Sequence, residues 1–367
     1  MLRFWIGLVG WLALTGRADF TVMTWNLKGN GATDWSTNAP QVQAIGRILR
    51  HLQPDVVAFQ EVPWEFRNRM PSIVRAYLAD HSVAISPGTD FVLTSAIASR
   101  HPIQRSQSHL DNADLNPFGY AGRFTRDLFE AEIRVPGWPF PLHVFTTHLR
   151  AGSTGTDPAQ RAAEASAVSN HLARQFLPNW GHRPWLLCGD LNQDVQPANA
   201  PTPNLRPVER LANAALGTRL LTPTNPIAAF REYTWSAIAG LSRRFDYILP
   251  GALLATNVVS GSTFYSPVVA GTVPGMTRST SAEASDHLPV LVRFQDPFRP
   301  PFSLRISATG MDRLALDWDP LPGDFVYRVE LSTDLGRWSA ATPGLATNRV
   351  VLPADLPTAV FRVVRNP

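Results

Sequence analysis

Residues 184–194 read PWLLCGDLNQD. An apolar run rises to the chain's only cysteine, Cys188, and breaks at once into Gly189, Asp190 and Asn192. Two readings compete. One is a buried strand entering a turn; the other is a strand whose last residues carry an acid and an amide into a site. Residues two apart on a strand share a face, so Asp190 and Asn192 point to one side if strand geometry continues, with Leu191 packing the other way. Gly189 permits a bend or a close backbone approach. Where the chain's other polar groups arise decides between the readings.

Seven further short runs are rich in β-branched and aromatic residues: FTVMTWNL (20–27), DVVAFQEV (55–62), FVLTSAIAS (91–99), LFEAEIRV (128–135), LHVFTTHL (142–149), FDYILP (245–250) and LPVLVRF (288–294). Each ends near Gly, Pro, Asn or Asp, as strands do. Two helical patterns lie between them. In residues 41–52, Val42, Ile45, Ile48, Leu49 and Leu52 fall on one face. Residues 157–177 open with Asp157 as N-cap and Pro158 in the first turn, then carry Ala165, Val168, Leu172 and Phe176 along one side. Many strands with few helices predict packed sheets with helices outside.

The polar residues at the strand ends form a series. Asn26 closes VMTWN, Gln60 and Glu61 close VVAFQE, and His148 closes VFTTH. Asp190 and Asn192 close LLCGDLN, Asp246 lies within RRFDYIL, and Asp286 and His287 begin SDHLPVLV. Turns commonly hold polar residues, but apolar strands seldom finish repeatedly in Asn, Glu, His or Asp. Gathered at one rim, these ends would line a single cavity with carboxylates and imidazoles. Glu61 offers Mg²⁺ a hard oxygen ligand. Asp190 and Asn192 together would accept a proton from water and position its oxygen. Asp246, an acid in an apolar strand, either fixes the tautomer of a histidine such as His287 or pairs with Arg243 or Arg244.

The segments TWNLKG, FQEV, ASRHPI, TTHLRAG, CGDLN, FDYIL and SDHLPV, in this order, resemble the endonuclease/exonuclease/phosphatase superfamily. These are metal-dependent phosphoesterases typified by pancreatic deoxyribonuclease, abasic-site endonucleases and neutral sphingomyelinases. The resemblance covers about residues 20–294, and GDLN together with a later SDH is its most specific part. It implies a four-layer α/β sandwich, two packed mixed sheets flanked by helices. It also implies Mg²⁺ or Mn²⁺, with Glu61 as the principal ligand, Asn26 beside it and Asp286 completing the acidic cluster. Asp190 is similar to the acid that aligns or activates the attacking water, and Asn192 to the amide that orients it. His287, paired with Asp246, resembles the imidazole on the scissile phosphate, and His148 a second catalytic histidine. Arg100 either supports the site or braces the framework. His101, His109, His143, His171 and His182 receive no role, and Asp194 is read as a loop residue.

Composition sets the outer limits. The chain has 367 residues, a formal charge of +4 and a single lysine, Lys28, so its basicity is almost wholly arginine. Arginine suits phosphate oxygens, but no basic block forms a nucleic-acid arm. Residues 1–18 are read as a signal peptide cleaved near Ala18, with Arg3 before an apolar run from Phe4 to Leu14 that is too short to span a bilayer. Export to a bacterial periplasm or the medium follows, and one cysteine excludes an internal disulfide. The catalytic domain is placed at 19–296, a Pro-rich linker at 297–302, and a small all-β, fibronectin-like module of about five strands at 303–367.

The expected substrate is a phosphodiester, in a nucleic acid or a phospholipid headgroup. Trp64, Trp235 and Phe118 are candidates for an apolar approach surface. A nuclease or phosphodiesterase is the first reading and a sphingomyelinase-like or other small phosphoesterase the second. An inert binding protein, with the C-terminal module attached to a surface or polymer, is the third. A monomer without a membrane span is expected.

Overall fold

The computed structural model describes residues 19–195, residues 206–298 except 228, 230, 231 and 237–239, and the C-terminal segments 305–309, 313–318, 326–333, 339–342, 344–353 and 360–366. The expected signal peptide and residues 299–302 of the expected linker lie outside the described residues.

The apolar runs become strands β1 (Phe20–Asn26), β2 (Val56–Pro63), β4 (Leu93–Ser99), β6 (Leu128–Ile133), β7 (Leu142–His148), β8 (Trp185–Asp190), β9 (Asp246–Pro250) and β11 (Val290–Phe294). Three strands carry no apolar run: β3 (Ser82–Ile85), β5 (Ile103–His109) and β10 (Val258–Thr263). All three are edge strands, with β10-β11-β1-β2-β4-β3 in one sheet and β5-β6-β7-β8-β9 in the other. An edge strand half in water needs no apolar run and is protected from mispairing by polar side chains, as in IQRSQSH of β5.

Alternation sorts the side chains into layers. Val22, Val56, Ala58, Phe129, Ala131, Val144, Leu186, Cys188 and Ile248 pack between the sheets. Met23, Trp25, Val57 and Phe59 face the opposite way, onto helices α1 (Pro40–Leu52) and α2 (Met70–Tyr77). Phe145, Trp185, Leu187, Tyr247 and Leu249 face α3 (Asp157–His171). Strands buried on both faces explain why the runs are continuously apolar. The result is the expected four-layer sandwich.

Helix α3 is shorter than its periodic pattern. A π-helical turn, Leu172–Phe176, follows it, and a last helical turn spans Leu177–Trp180. Pro178 has no N–H to give to the preceding turn, so regular α-helical bonding cannot pass through it.

Two parallel pairs set the position of the site. β1 runs with β2, placing Asn26 opposite Gln60, and β7 runs with β8, placing His148 opposite Asp190. β9 is antiparallel to β8 and starts where β8 ends, with Asp246 opposite Asp190. β11 is antiparallel to β1, so Asp286 and His287 enter at the same rim.

Phe298 is buried against Trp138 and Phe140, so the packed core continues two residues past the expected boundary at 296. Beyond it, among the described residues, six short strands form two three-stranded sheets around Leu316, Trp318, Tyr327, Val329 and Leu352. Among the described residues no helix is long and apolar enough to cross a membrane.

Candidate active site

The end of β8 is shaped by glycine. Gly189 has φ +144°, and a Cβ there would sit 1.9 Å from the Thr147 carbonyl oxygen. β7 and β8 approach too closely at this point for any side chain. Cys188 fills the inter-sheet core, where burial pushes its thiol pKa up and keeps it protonated. Asn192 does not share a face with Asp190 by strand alternation. The strand stops at Asp190, and Asn192 takes a left-handed conformation (φ +49°) with its N–H on Asp190 Oδ1 at 2.8 Å. Asparagine tolerates that region, and the turn brings its amide back over the strand end, where Nδ2 donates to the Leu149 carbonyl at 3.0 Å. Leu191 is buried as expected.

Glu61 is aimed by a different device. The β2–β4 pairing slips between Phe59 and Val62, a bulge in which Glu61 adopts φ +54°. A bulge re-aims a side chain at the rim of a sheet. Its neighbour Gln60 turns inward, its Nε2 donating to Thr24 Oγ1 at 3.0 Å and Thr146 Oγ1 at 2.9 Å, and so ties the two sheets together. Gln60 is therefore structural.

Asp190 Oδ2 is the hub. Asn26 Nδ2 donates to it at 2.9 Å and to Glu61 Oε1 at 3.0 Å. His148 Nε2 lies 3.5 Å from the same Asp190 oxygen and His287 Nε2 3.7 Å from it. Glu61 Oε1 is 3.9 Å from His148 Nε2. His287 Nδ1 meets Asp246 Oδ2 at 2.8 Å, so Asp246 pairs with the histidine, while the buried Arg244 faces Glu232. Asp286 is less central: its Oδ2 accepts from Trp235 Nε1 at 3.4 Å. Seven of the eight predicted residues thus converge, and Asp286 flanks them.

Electrostatics divide the two imidazoles. Burial, reinforced by Arg126 and His287, holds His148 well below the usual histidine range, so it is neutral. Neither of its ring nitrogens has a hydrogen-bond partner among the described residues. Burial would depress His287 as well, but Asp246, Asp190 and Asp286 outweigh it and push the ring up to about 10. Burial also pushes Asp190 up, to about 7, opposed by His287 and raised further by Asp246.

The donor set suits a divalent cation. Asp190, Asp246 and His287 each have a potential ligand atom within 4.8 Å of the others', and because the protonated ring of His287 is closed to a cation, the carboxylates are the donors. Asp246 Oδ1 is buried and without a hydrogen-bond partner among the described residues, and Glu61 stands beside them. Asn26 presents its NH₂ to the carboxylates while its oxygen accepts from the Lys28 N–H at 2.9 Å.

Several supporting residues escaped sequence reading. Ser285 Oγ donates to the Asn26 carbonyl and accepts from the His287 N–H, and Trp25 Nε1 donates to the His287 carbonyl. Arg126 Nη1 donates to the His148 carbonyl at 3.3 Å, and its Nη2 pairs with Asp90 at 2.9 Å. Beside Asp90, Phe91 is 82% exposed at φ +66°, and the carbonyl of Val92 accepts from the Trp64 N–H. Trp235 stacks on Phe245 beside His287, Trp64 carries the Arg67 guanidinium at 3.5 Å, and Phe118 packs on the core. Arg100 pairs with Asp55 at 2.8 Å, at the opposite end of β2 from Glu61, which makes it framework. Asp194 is a buried acid whose charge is felt by Arg244 and Tyr247.

Comparison with known proteins agrees with this architecture. No curated protein matches the sequence significantly. Solved structures do. An AP endonuclease from Archaeoglobus fulgidus is 19% identical, with 76% of this chain and 100% of that chain covered and a TM-score of 0.53. D. rerio TDP2, solved with a single-strand DNA product, is 16% identical with coverages of 76% and 100% and a TM-score of 0.51. The 3′-5′ exonuclease NExo from Neisseria meningitidis is 18% identical with coverages of 76% and 100% and a TM-score of 0.50. At such identities the likeness shows the fold alone. The sequence profile of the Endonuclease/Exonuclease/phosphatase family matches residues 23–287, most of the chain and every residue of the hub, and the chain belongs to that family.

Proposed function

We propose that this chain is an exported, divalent-metal-dependent phosphodiesterase or endonuclease that hydrolyses a phosphoester by in-line attack of water. Family membership supports a phosphoesterase. The observation that carries the finer reading is the convergence of Asn26, Glu61, His148 and His287 on the buried Asp190. The export part rests on the apolar leader of the sequence.

Glu61, with Asn26 bonded to its carboxylate and Asp286 flanking the cluster, would hold Mg²⁺ or Mn²⁺, and the ion would neutralise charge building on the phosphoryl oxygens. Asp190 is the acceptor for the proton of the attacking water, and Asn192, held by Leu149 and Asp190, orients it. A cation at Glu61 would draw the raised Asp190 carboxyl back toward its ionised form. His287, kept protonated by Asp246, donates to a phosphoryl or leaving oxygen. His148, neutral and with its ring nitrogens unpartnered among the described residues, offers a second donor 3.5 Å from the same Asp190 oxygen.

The substrate is a phosphodiester, in nucleic acid as the first reading. The exposed Phe91 and Val92, 82% and 51% accessible on the loop tied to Arg126 and Trp64, favour a second reading in which the diester belongs to a lipid headgroup. Purified protein given bis(4-nitrophenyl) phosphate, plasmid DNA or sphingomyelin vesicles, with Mg²⁺ or with chelator, tests both. Metal-dependent turnover lost in Asp190→Ala and His287→Ala is expected. No turnover of any of the three would overturn the enzyme reading.

A further inference from the structure

Helix α3 buries a polar stripe. Asp157, Gln160, Arg161 and Glu164 follow the three- and four-residue spacing that places side chains on one helical face. Glu164 is fully buried and Arg161 is 6% exposed. Removing both charges from water costs more than an apolar stripe would, and apolar replacement of buried ion pairs is often neutral or stabilising. The stripe therefore needs a reason other than holding helix to sheet.

Its contacts supply one: Asp157, Arg161 and Glu164 bond to the Arg150–Gly152 segment just past His148, and Glu164 also to Thr125. Glu164 Oε2 accepts from the Arg150 N–H at 2.6 Å, and Arg161 Nη1 donates to the carbonyls of Arg150 at 2.8 Å and Gly152 at 2.7 Å. Asp157 holds the Arg150 side chain at 2.9 Å. Glu164 Oε1 accepts from the N–H and hydroxyl of Thr125, next to the Arg126 that holds the His148 carbonyl. One residue earlier, Leu149 gives its N–H to the Asp190 carbonyl at 3.1 Å and takes the Asn192 amide on its own carbonyl. The Leu149–Arg150 peptide is thus held at both ends, its N–H by Glu164 of α3 and its carbonyl by the Asn192 amide. Moving Arg150 turns the Leu149 carbonyl away from Asn192.

We propose that Arg161 and Glu164 are positioning residues for the hydrolytic step, acting through Leu149 to orient the Asn192 amide and through Thr125 and Arg126 to hold His148. This rests on the phosphodiesterase reading above. Such residues lower turnover without touching substrate, since small misplacements in a site are costly to rate.

The test compares wild type with Arg161→Met, which keeps length without charge, and with Arg161→Lys and Glu164→Gln. Turnover of bis(4-nitrophenyl) phosphate is measured per folded molecule, well below each variant's melting temperature. For Arg161→Met we expect kcat to fall at least about tenfold, with KM and the Mg²⁺ half-saturation within about twofold of wild type and partial recovery in Arg161→Lys. Full kcat accompanied only by a lower melting temperature would make the residues structural and overturn the proposal. A raised KM at unchanged kcat would overturn it too. If wild type turns over no diester, the phosphodiesterase reading falls, and amide exchange decides the clamp separately. Faster exchange at Leu149, Arg150 and Asn192 in Arg161→Met, with β6 unaffected, upholds it; unchanged exchange at those three overturns it.

Discussion

His287 Nδ1 lies 2.8 Å from Asp246 Oδ2, joining the entry to β11 with the start of β9, and both side chains are buried. The pair fixes which ring nitrogen faces Asp246 and turns Nε2 toward Asp190. Asp246→Asn keeps the shape but removes the charge that holds the imidazole protonated. Turnover of a soluble diester at saturating metal should fall by about 10²–10⁴-fold, the usual worth of a placed acid or base. A thermal melt close to that of wild type would confirm that the loss is chemical. Turnover within threefold or so of wild type would show that the pairing has no part in catalysis.

Glu61 reaches the site from a bulge in a left-handed conformation, so its direction is set by backbone rather than by packing. Chelation should abolish turnover, and added Mg²⁺ or Mn²⁺ should restore it. In Glu61→Gln the metal half-saturation should rise by about tenfold or more, because one hard anionic ligand is gone. Titrating turnover against Mg²⁺ reads this directly; an unchanged half-saturation would remove Glu61 from the metal site.

Much of this site was legible because strand ends are punctuated. Asn26, His148 and Asp190 each stop an apolar run, and two parallel pairings bring those stops to one rim. What stayed hidden was backbone conformation. Nothing in FQEV announces a bulge at Glu61, and nothing in GDLN announces that Asn192 turns back through φ +49° instead of continuing the strand. The edge strands β3, β5 and β10 were hidden for a related reason, since half-solvated strands carry no apolar signature. The polar stripe of α3 was hidden because Arg161 and Glu164 have the composition of an exposed helix face, while their burial depends on a loop that sequence cannot place.

Gly189 tests the geometry of CGDLN without touching chemistry. An alanine there would place Cβ at 1.9 Å from the Thr147 carbonyl, on backbone that cannot retreat without breaking the β7–β8 pairing. Gly189→Ala should cost at least about 4 kcal/mol or fail to fold. Cys188→Ala, one residue earlier, removes only a small buried apolar group and should cost about 1 kcal/mol with turnover preserved. Urea melts of the two variants separate a steric requirement from general sensitivity of the strand.

A second buried cluster, remote from the hub, predicts how the fold responds to acid. Glu130 accepts from His109 at 2.8 Å and His143 at 2.7 Å, and the His109 and His171 rings stand 4.4 Å apart. Burial, with His109 nearby, depresses His171 to about 4, so the folded protein keeps it neutral. Burial works against Glu130, but His109, His143 and Arg105 overcome it and hold the carboxyl at about 2. The signs agree. Below an ordinary histidine pKa of about 6.5 the unfolded chain takes a proton that folded His171 refuses, so that contribution is full above pH 6.5 and declines toward pH 4. Glu130 contributes fully above an ordinary carboxyl pKa and declines as pH falls toward 2. His171→Gln should flatten the upper limb, with stability falling by up to about 3 kcal/mol less than wild type between pH 6.5 and 4. The steeper loss below that range should remain, because Glu130 is untouched. Urea melts of both proteins across that range measure the difference, and parallel curves would show that His171 is not the titrating group.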